Sequence, residues 1–151
     1  MDDKGREEHI VETILLVEDN DDDVLFAKRA FRKAGIINDL VVFHYGDKAL
    51  RYLTEQRGGA VDPDGPRVGA VFLDIHLPCF SGLELLEKLR ESLGPEFATS
   101  LPVFMLSGSD DPSGMERARS LGARAYLVKP PTPQALLQVL RASKWPGLRI
   151  G

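Results

Sequence analysis

Five short apolar runs, each cut off by a polar residue and followed by a segment of helical period, constrain this chain more than any other feature. The runs cover residues 13–17, 40–43, 68–73, 102–106 and 125–128. They are continuously apolar and rich in β-branched and aromatic residues. That pattern suits strands of a parallel sheet covered on both faces, not the alternation of a half-exposed antiparallel one. The intervening segments repeat at helical spacing. Val24, Ala27, Phe31 and Ala34 lead to a stop at Gly35, and Asp21, Asp22 and Asp23 supply N-cap and first-turn acids. Ala49, Leu50 and Leu53 mark a second helix, Leu86, Leu89 and Leu93 a third, and Met115, Ala118 and Leu121 a fourth that starts at Pro112. Leu136, Leu137 and Leu140 mark a fifth, capped by Thr132. Strand and helix alternating five times predict an α/β doubly wound parallel sheet with helices on both faces.

The chain has 151 residues, which fits one domain. Residues 1–11 are polar and read as a flexible N-terminal segment, 12–145 as the domain, and 146–151 as a short C-terminal tail. A net charge of −4 argues against sequence-independent nucleic-acid binding, which needs a basic footprint. The acidic N-terminus has no apolar core of a signal peptide. No apolar run approaches the roughly 18 residues of a membrane span. A cytoplasmic location is expected. The single cysteine, Cys79, excludes an internal disulfide. Residues 57–67 form a Gly/Pro-rich stretch that reads as a surface loop, with partner contact left open.

Chemistry gathers at the strand ends. The first strand ends in Glu18-Asp19, the third in Asp74, the fourth in Ser107 and the fifth in Lys129. In open α/β sheets the carboxyl ends of the strands form one rim, and ligands bind there. Three carboxylates on one rim raise each other's pKa and call for a cation. An all-oxygen site with room for water fits Mg²⁺. Such a metal would neutralise an incoming phosphoryl group. Asp74, on a central strand, is then the nucleophile, and Ser107 and Lys129 would hold the phosphoryl oxygens.

Val17-Glu18-Asp19-Asn20, Phe72-Leu73-Asp74-Ile75-His76-Leu77-Pro78 with Ser81-Gly82, Met105-Leu106-Ser107-Gly108 and Ala125-Tyr126-Leu127-Val128-Lys129-Pro130 occur in this order. Together they resemble the receiver domains of two-component response regulators, over roughly residues 14–140. The resemblance implies a flavodoxin-like (βα)5 fold with sheet order 2-1-3-4-5. It implies Mg²⁺ held by Glu18, Asp19, Asp74 and the backbone carbonyl of His76. It implies phosphorylation of Asp74 by a sensor histidine kinase, phosphate contact by Lys129, and a conformational switch made of Ser107 and Tyr126. Output would pass by protein contact or onward phosphotransfer. Glu18-Asp19-Asn20 followed by Asp23, the 57–67 loop and the lack of an output domain resemble the stand-alone receivers that serve bacterial phytochromes. Departures are Ala125 where many receivers carry an acid, Phe80-Ser81 in place of the commoner Met-Asp pair, and Ser107 in place of Thr.

Blander readings stand beside these. Tyr126 is by default a packed core aromatic, Ser107-Gly108 a turn, and Lys129-Pro130 either a helix stop or a pair placed there for a cis bond. His9, His44 and His76 lack metal-ligand spacing and read as surface residues. Cys79 has no assignable base. Trp145 reads as a seal on the last helix, and the apolar Leu137, Leu140 and Trp145 leave a symmetric dimer through that helix open. Among other functions, an aspartate-nucleophile phosphatase would need an acid two positions after Asp74, where His76 stands. A phosphorylation-independent interaction module would have no use for five site residues together. A Gly-x-x-x-x-Gly-Lys nucleotide loop does not occur.

Overall fold

A computed structural model describes residues 12–57, 67–108 and 112–151. The calls on residues 1–11, on His9, on most of the 57–67 loop and on Ser109 lie outside the described residues. Five strands and six helices alternate among those described: β1 (Glu12–Val17), α1 (Asp21–Lys33), β2 (Leu40–Phe43), α2 (Gly46–Arg57), β3 (Arg67–Asp74), α3 (Gly82–Leu93), α4 (Phe97–Ser100), β4 (Val103–Ser107), α5 (Pro112–Ser120), β5 (Ala125–Val128) and α6 (Pro133–Ala142). All strand pairs are parallel, in the order β2-β1-β3-β4-β5. The fold class is as the sequence pattern predicts, and the strand order is as the family resemblance implies.

The sheet splits two apolar layers by simple alternation. Leu15, Val17, Val71, Leu73, Val103 and Met105 point to one face and pack with Ala49, Leu53, Leu85, Leu86, Leu89 and Ala118 from α2, α3 and α5. Ile14, Leu16, Ala70, Phe72 and Phe104 point to the other and pack with α1 and α6. There Phe72 stacks between Phe31 and Phe104, with ring centroids 5.2 and 4.8 Å away. Burial on both faces is why these strands read as unbroken apolar runs.

Helix starts follow the capping chemistry, with one correction. Asn20, not one of the three aspartates, caps α1, its side chain accepting from the Asp23 N–H. Ser81 and Glu84 form a capping box at α3. Ser81 thereby does a local structural job that an Asp would do equally. Thr132 caps α6, with Pro133 in its first turn. The short α4 was not anticipated. It follows Gly94 at φ 91° and Pro95, and Phe97 anchors it in the core.

One reading of the C-terminal region changes. Leu140 and Trp145 are buried within the chain, which removes them from any symmetric dimer face on the last helix. The short tail docks on the loop after α1. Gly151 N–H donates to the Gly35 carbonyl at 2.8 Å, Ile37 N–H to Arg149 at 3.0 Å, and Ile36 bridges Ile150 antiparallel. No described helix is long and apolar enough to cross a membrane.

Candidate functional site

Register decides what meets at the rim. Val17 of β1 lies beside Leu73 of β3, so Glu18 and Asp74 follow side by side. Asp74 pairs with Leu106 of β4, and Ser107 pairs with Val128 of β5, one residue before Lys129. Four strand ends therefore open within a residue or two of one level, where the strand order reverses between β1 and β3. Gly82 keeps the neighbouring helix close: a Cβ there would overlap the Asp74 carbonyl oxygen.

Glu18, Asp19 and Asp74 each offer a carboxylate oxygen, and these oxygens all lie within 4.8 Å of one another. Glu18 and Asp74 are buried and Asp19 is exposed. Lys129 reaches across the pocket. Its Nζ donates to Glu18 Oε1 at 2.9 Å, to Asp23 Oδ2 at 3.0 Å and to Asp74 Oδ2 at 3.3 Å. Backbone donors complete the set: Asn20 N–H to Glu18 Oε2 at 3.1 Å, and His76 N–H to Asp74 Oδ1 at 3.0 Å. Ser107 is fully buried at the end of β4, and its carbonyl accepts from the Lys129 N–H at 2.6 Å. The Lys129–Pro130 bond is cis.

Electrostatics follow from this crowding. Burial pushes the Glu18 carboxyl up to about 7, and the nearby Asp74 charge adds to it, against the opposing pull of Lys129 and the Asn20 N–H. Burial also works against the charge on Lys129. The hydrogen bonds to Glu18 and Asp23 and the Asp74 charge outweigh it, and the ammonium is held above its ordinary range. Four carboxylates facing one ammonium leave the rim short of positive charge. Converging hard oxygen donors fit a small divalent cation such as Mg²⁺.

The structure brings Glu18, Asp19, Asp74 and Lys129 together and sets Ser107 at the adjacent strand end. Tyr126 sits half-buried on β5, opposite Met105, with its hydroxyl buried and without a hydrogen-bond partner. His76 is exposed with its backbone on the rim, and His44 is exposed and pairs with Asp21 at 3.2 Å. Cys79 is exposed, at φ 63°. Asp23, read from the sequence as a first-turn acid and as part of the likeness to stand-alone receivers, proves also to bind Lys129. An acid in a first helical turn is already explained by the helix dipole, so its reach to Lys129 carried no separate signal.

Residues 14–141 match the response regulator receiver domain family. This chain belongs to that family. Among curated relatives, the receiver is 35% identical over 117 residues to the probable methanogenesis regulatory protein FilR2 of Methanothrix harundinacea, covering 78% of this chain and 71% of that protein. Among solved structures it resembles the bacteriophytochrome response regulator AtBRR, at 31% identity and a TM-score of 0.73, over 89% of this chain and 94% of that one. It also resembles the bacteriophytochrome response regulator RtBRR, at 30% identity and a TM-score of 0.72, over 87% and 77%. Family and fold stand as the strand-end motifs implied, and the neighbours bear out the likeness to phytochrome-associated receivers.

Proposed function

We propose that this receiver accepts a phosphoryl group on Asp74 from a sensor histidine kinase and signals through the altered surface. A bacteriophytochrome is the kinase class that the names of AtBRR and RtBRR favour. The observation that carries the reading is the meeting of Glu18, Asp19 and Asp74 oxygens within 4.8 Å, with Lys129 bound to Asp74. Asp74 Oδ attacks phosphorus, the bond to the donor nitrogen breaks, and the freed imidazole takes a proton from solvent. Glu18, Asp19, Asp74 and the His76 carbonyl would hold Mg²⁺. When bound, it supplies the charge that offsets the phosphoryl oxygens.

The chain's own groups do the rest. The His76 N–H fixes one Asp74 oxygen and leaves the other facing Lys129. Lys129 is placed to contact the transferred oxygens, and Ser107 to donate to them. Drawing Ser107 toward the phosphate gives Tyr126 a reason to repack. Its buried hydroxyl carries an unmade hydrogen bond, a cost of about 1–3 kcal/mol that repacking would relieve. The chemistry is one acyl phosphate per chain, with turnover limited to self-phosphorylation and self-dephosphorylation. The unit doing this is residues 12–145, in the cytoplasm beside its kinase.

The test is Mg²⁺-dependent incorporation of acid-labile phosphate from acetyl phosphate. Wild type is expected to label to one group per chain and Asp74→Asn not at all. Equal labelling of the variant would put the acceptor elsewhere.

A further inference from the structure

Four acids stand at the rim, and one differs from the others. Glu18, Asp19 and Asp74 point oxygens at a common centre, whereas Asp23 is not part of that convergence. Its contact is with Lys129, at 3.0 Å, nearly as short as the 2.9 Å bond from Lys129 to Glu18. Asp23 is held from behind, because its N–H is fixed by the Asn20 cap of a 13-residue helix. The Asp23 side chain is 31% exposed, so this carboxylate is solvated on its far side.

An ammonium has three donors, and Lys129 uses them on three carboxylates. Two of those carboxylates belong to the oxygen cluster proposed to take a divalent cation, and Asp74 is also the proposed acceptor. A cation held by that cluster would compete with Lys129 for the Glu18 and Asp74 carboxylates. Asp23 is the acceptor that remains. Without it the long, flexible lysine stem has nothing to aim it across the pocket.

We propose that Asp23 is a positioning residue, holding the Lys129 ammonium at the mouth of the site so that it meets the phosphoryl oxygens arriving at Asp74. The role rests on the phosphoacceptor reading above. A one-ångström displacement of a positioned charge is enough to slow a reaction of this kind substantially.

The experiment compares wild type, Asp23→Ala, Asp23→Asn and Asp23→Glu, with Lys129→Ala and the Asp23→Ala/Lys129→Ala double variant. Labelling rates with acetyl phosphate are measured at saturating Mg²⁺. Asp23→Ala is expected to label about tenfold more slowly. Asp23→Asn, keeping a neutral acceptor, should fall between it and wild type, and Asp23→Glu should recover most of the rate. In the Lys129→Ala background, removing Asp23 should cost nothing further, because the two act as one unit. The sign of the effect separates positioning from plain charge. If Asp23 acted only as a through-space anion, its removal would speed attack on an anionic donor. Labelling of Asp23→Ala at or above the wild-type rate, or an equal loss in the Lys129→Ala background, overturns the inference while leaving Asp74 as acceptor. Absence of labelling in wild type would overturn the acceptor reading itself, and this inference with it.

Discussion

The two ends of the sheet gather similar polar chemistry and treat it in opposite ways. At the amino end, Trp145 Nε1 donates to Glu12 Oε1 at 3.0 Å. Asn38 donates to the carbonyls of Glu12 and Gly147 at 3.0 and 2.8 Å and accepts from the Arg149 N–H at 2.8 Å. Donors and acceptors there match, and the glycines fit the indole: a Cβ at Gly69 would overlap Trp145. At the carboxyl end, Glu18, Asp19, Asp23 and Asp74 face the single ammonium of Lys129. One end is satisfied and closes the fold around the tail. The other is left under-neutralised, and the missing positive charge is what a cation and its phosphoryl cargo would supply. Burial alone does not mark a functional site in this chain; the imbalance of partners does.

The contrast breaks most visibly by truncation. Trp145→Ala empties a buried indole site at the matched end. It is expected to cost about 3–5 kcal/mol in chemical denaturation, while the labelling rate of the folded protein stays unchanged. Asp74→Asn should do the reverse. It ends labelling, yet removing one of the crowded acids should stabilise the metal-free fold by about 1 kcal/mol, read in the same denaturation series with chelator present. A destabilised Asp74→Asn would mean that the rim is as balanced as the amino end.

A smaller effect sharpens the comparison through pH. Glu18 is raised in the folded chain from 4.5 to about 7. Between those values the folded state holds a proton that the unfolded state has released. Stability from this group is therefore fully present below pH 4.5 and lost as pH rises through about 7. Metal-free melts should show a higher Tm near pH 5 than near pH 8, after correction with Glu18→Gln, which should lack the slope. Mg²⁺ affinity should run the other way, weakening by up to about tenfold per unit below pH 7, because the ion competes with that proton.

The uneven legibility of the chain follows the same division. Strands β1, β3 and β4 are plain in the sequence because parallel strands covered on both faces leave no polar position until they end. The rim residues are plain for the same reason: Glu18, Asp74, Ser107 and Lys129 are where the apolar runs stop. The contact of Asp23 with Lys129 was hidden because the helical position of Asp23 gave it a sufficient local reason. The docked tail was hidden because backbone groups of Gly35, Ile37 and Arg149 and the lone Asn38 amide hold it, and neither main-chain partners nor a single loop amide leave a pattern in the sequence. The short α4 was hidden because four residues carry no periodicity, and it is held by the burial of Phe97 and by the distant Arg124 guanidinium, which donates to the Ala98 and Thr99 carbonyls.

A crystal structure with Mg²⁺ and beryllofluoride, a mimic of the acyl phosphate, would test the rim most directly. The expected density is one cation between the Glu18, Asp19 and Asp74 carboxylates, with the beryllium bonded to Asp74 and its fluorides met by Lys129 and Ser107. A cation bound elsewhere, or beryllofluoride absent from Asp74 while Lys129 keeps its three carboxylate partners, would contradict it.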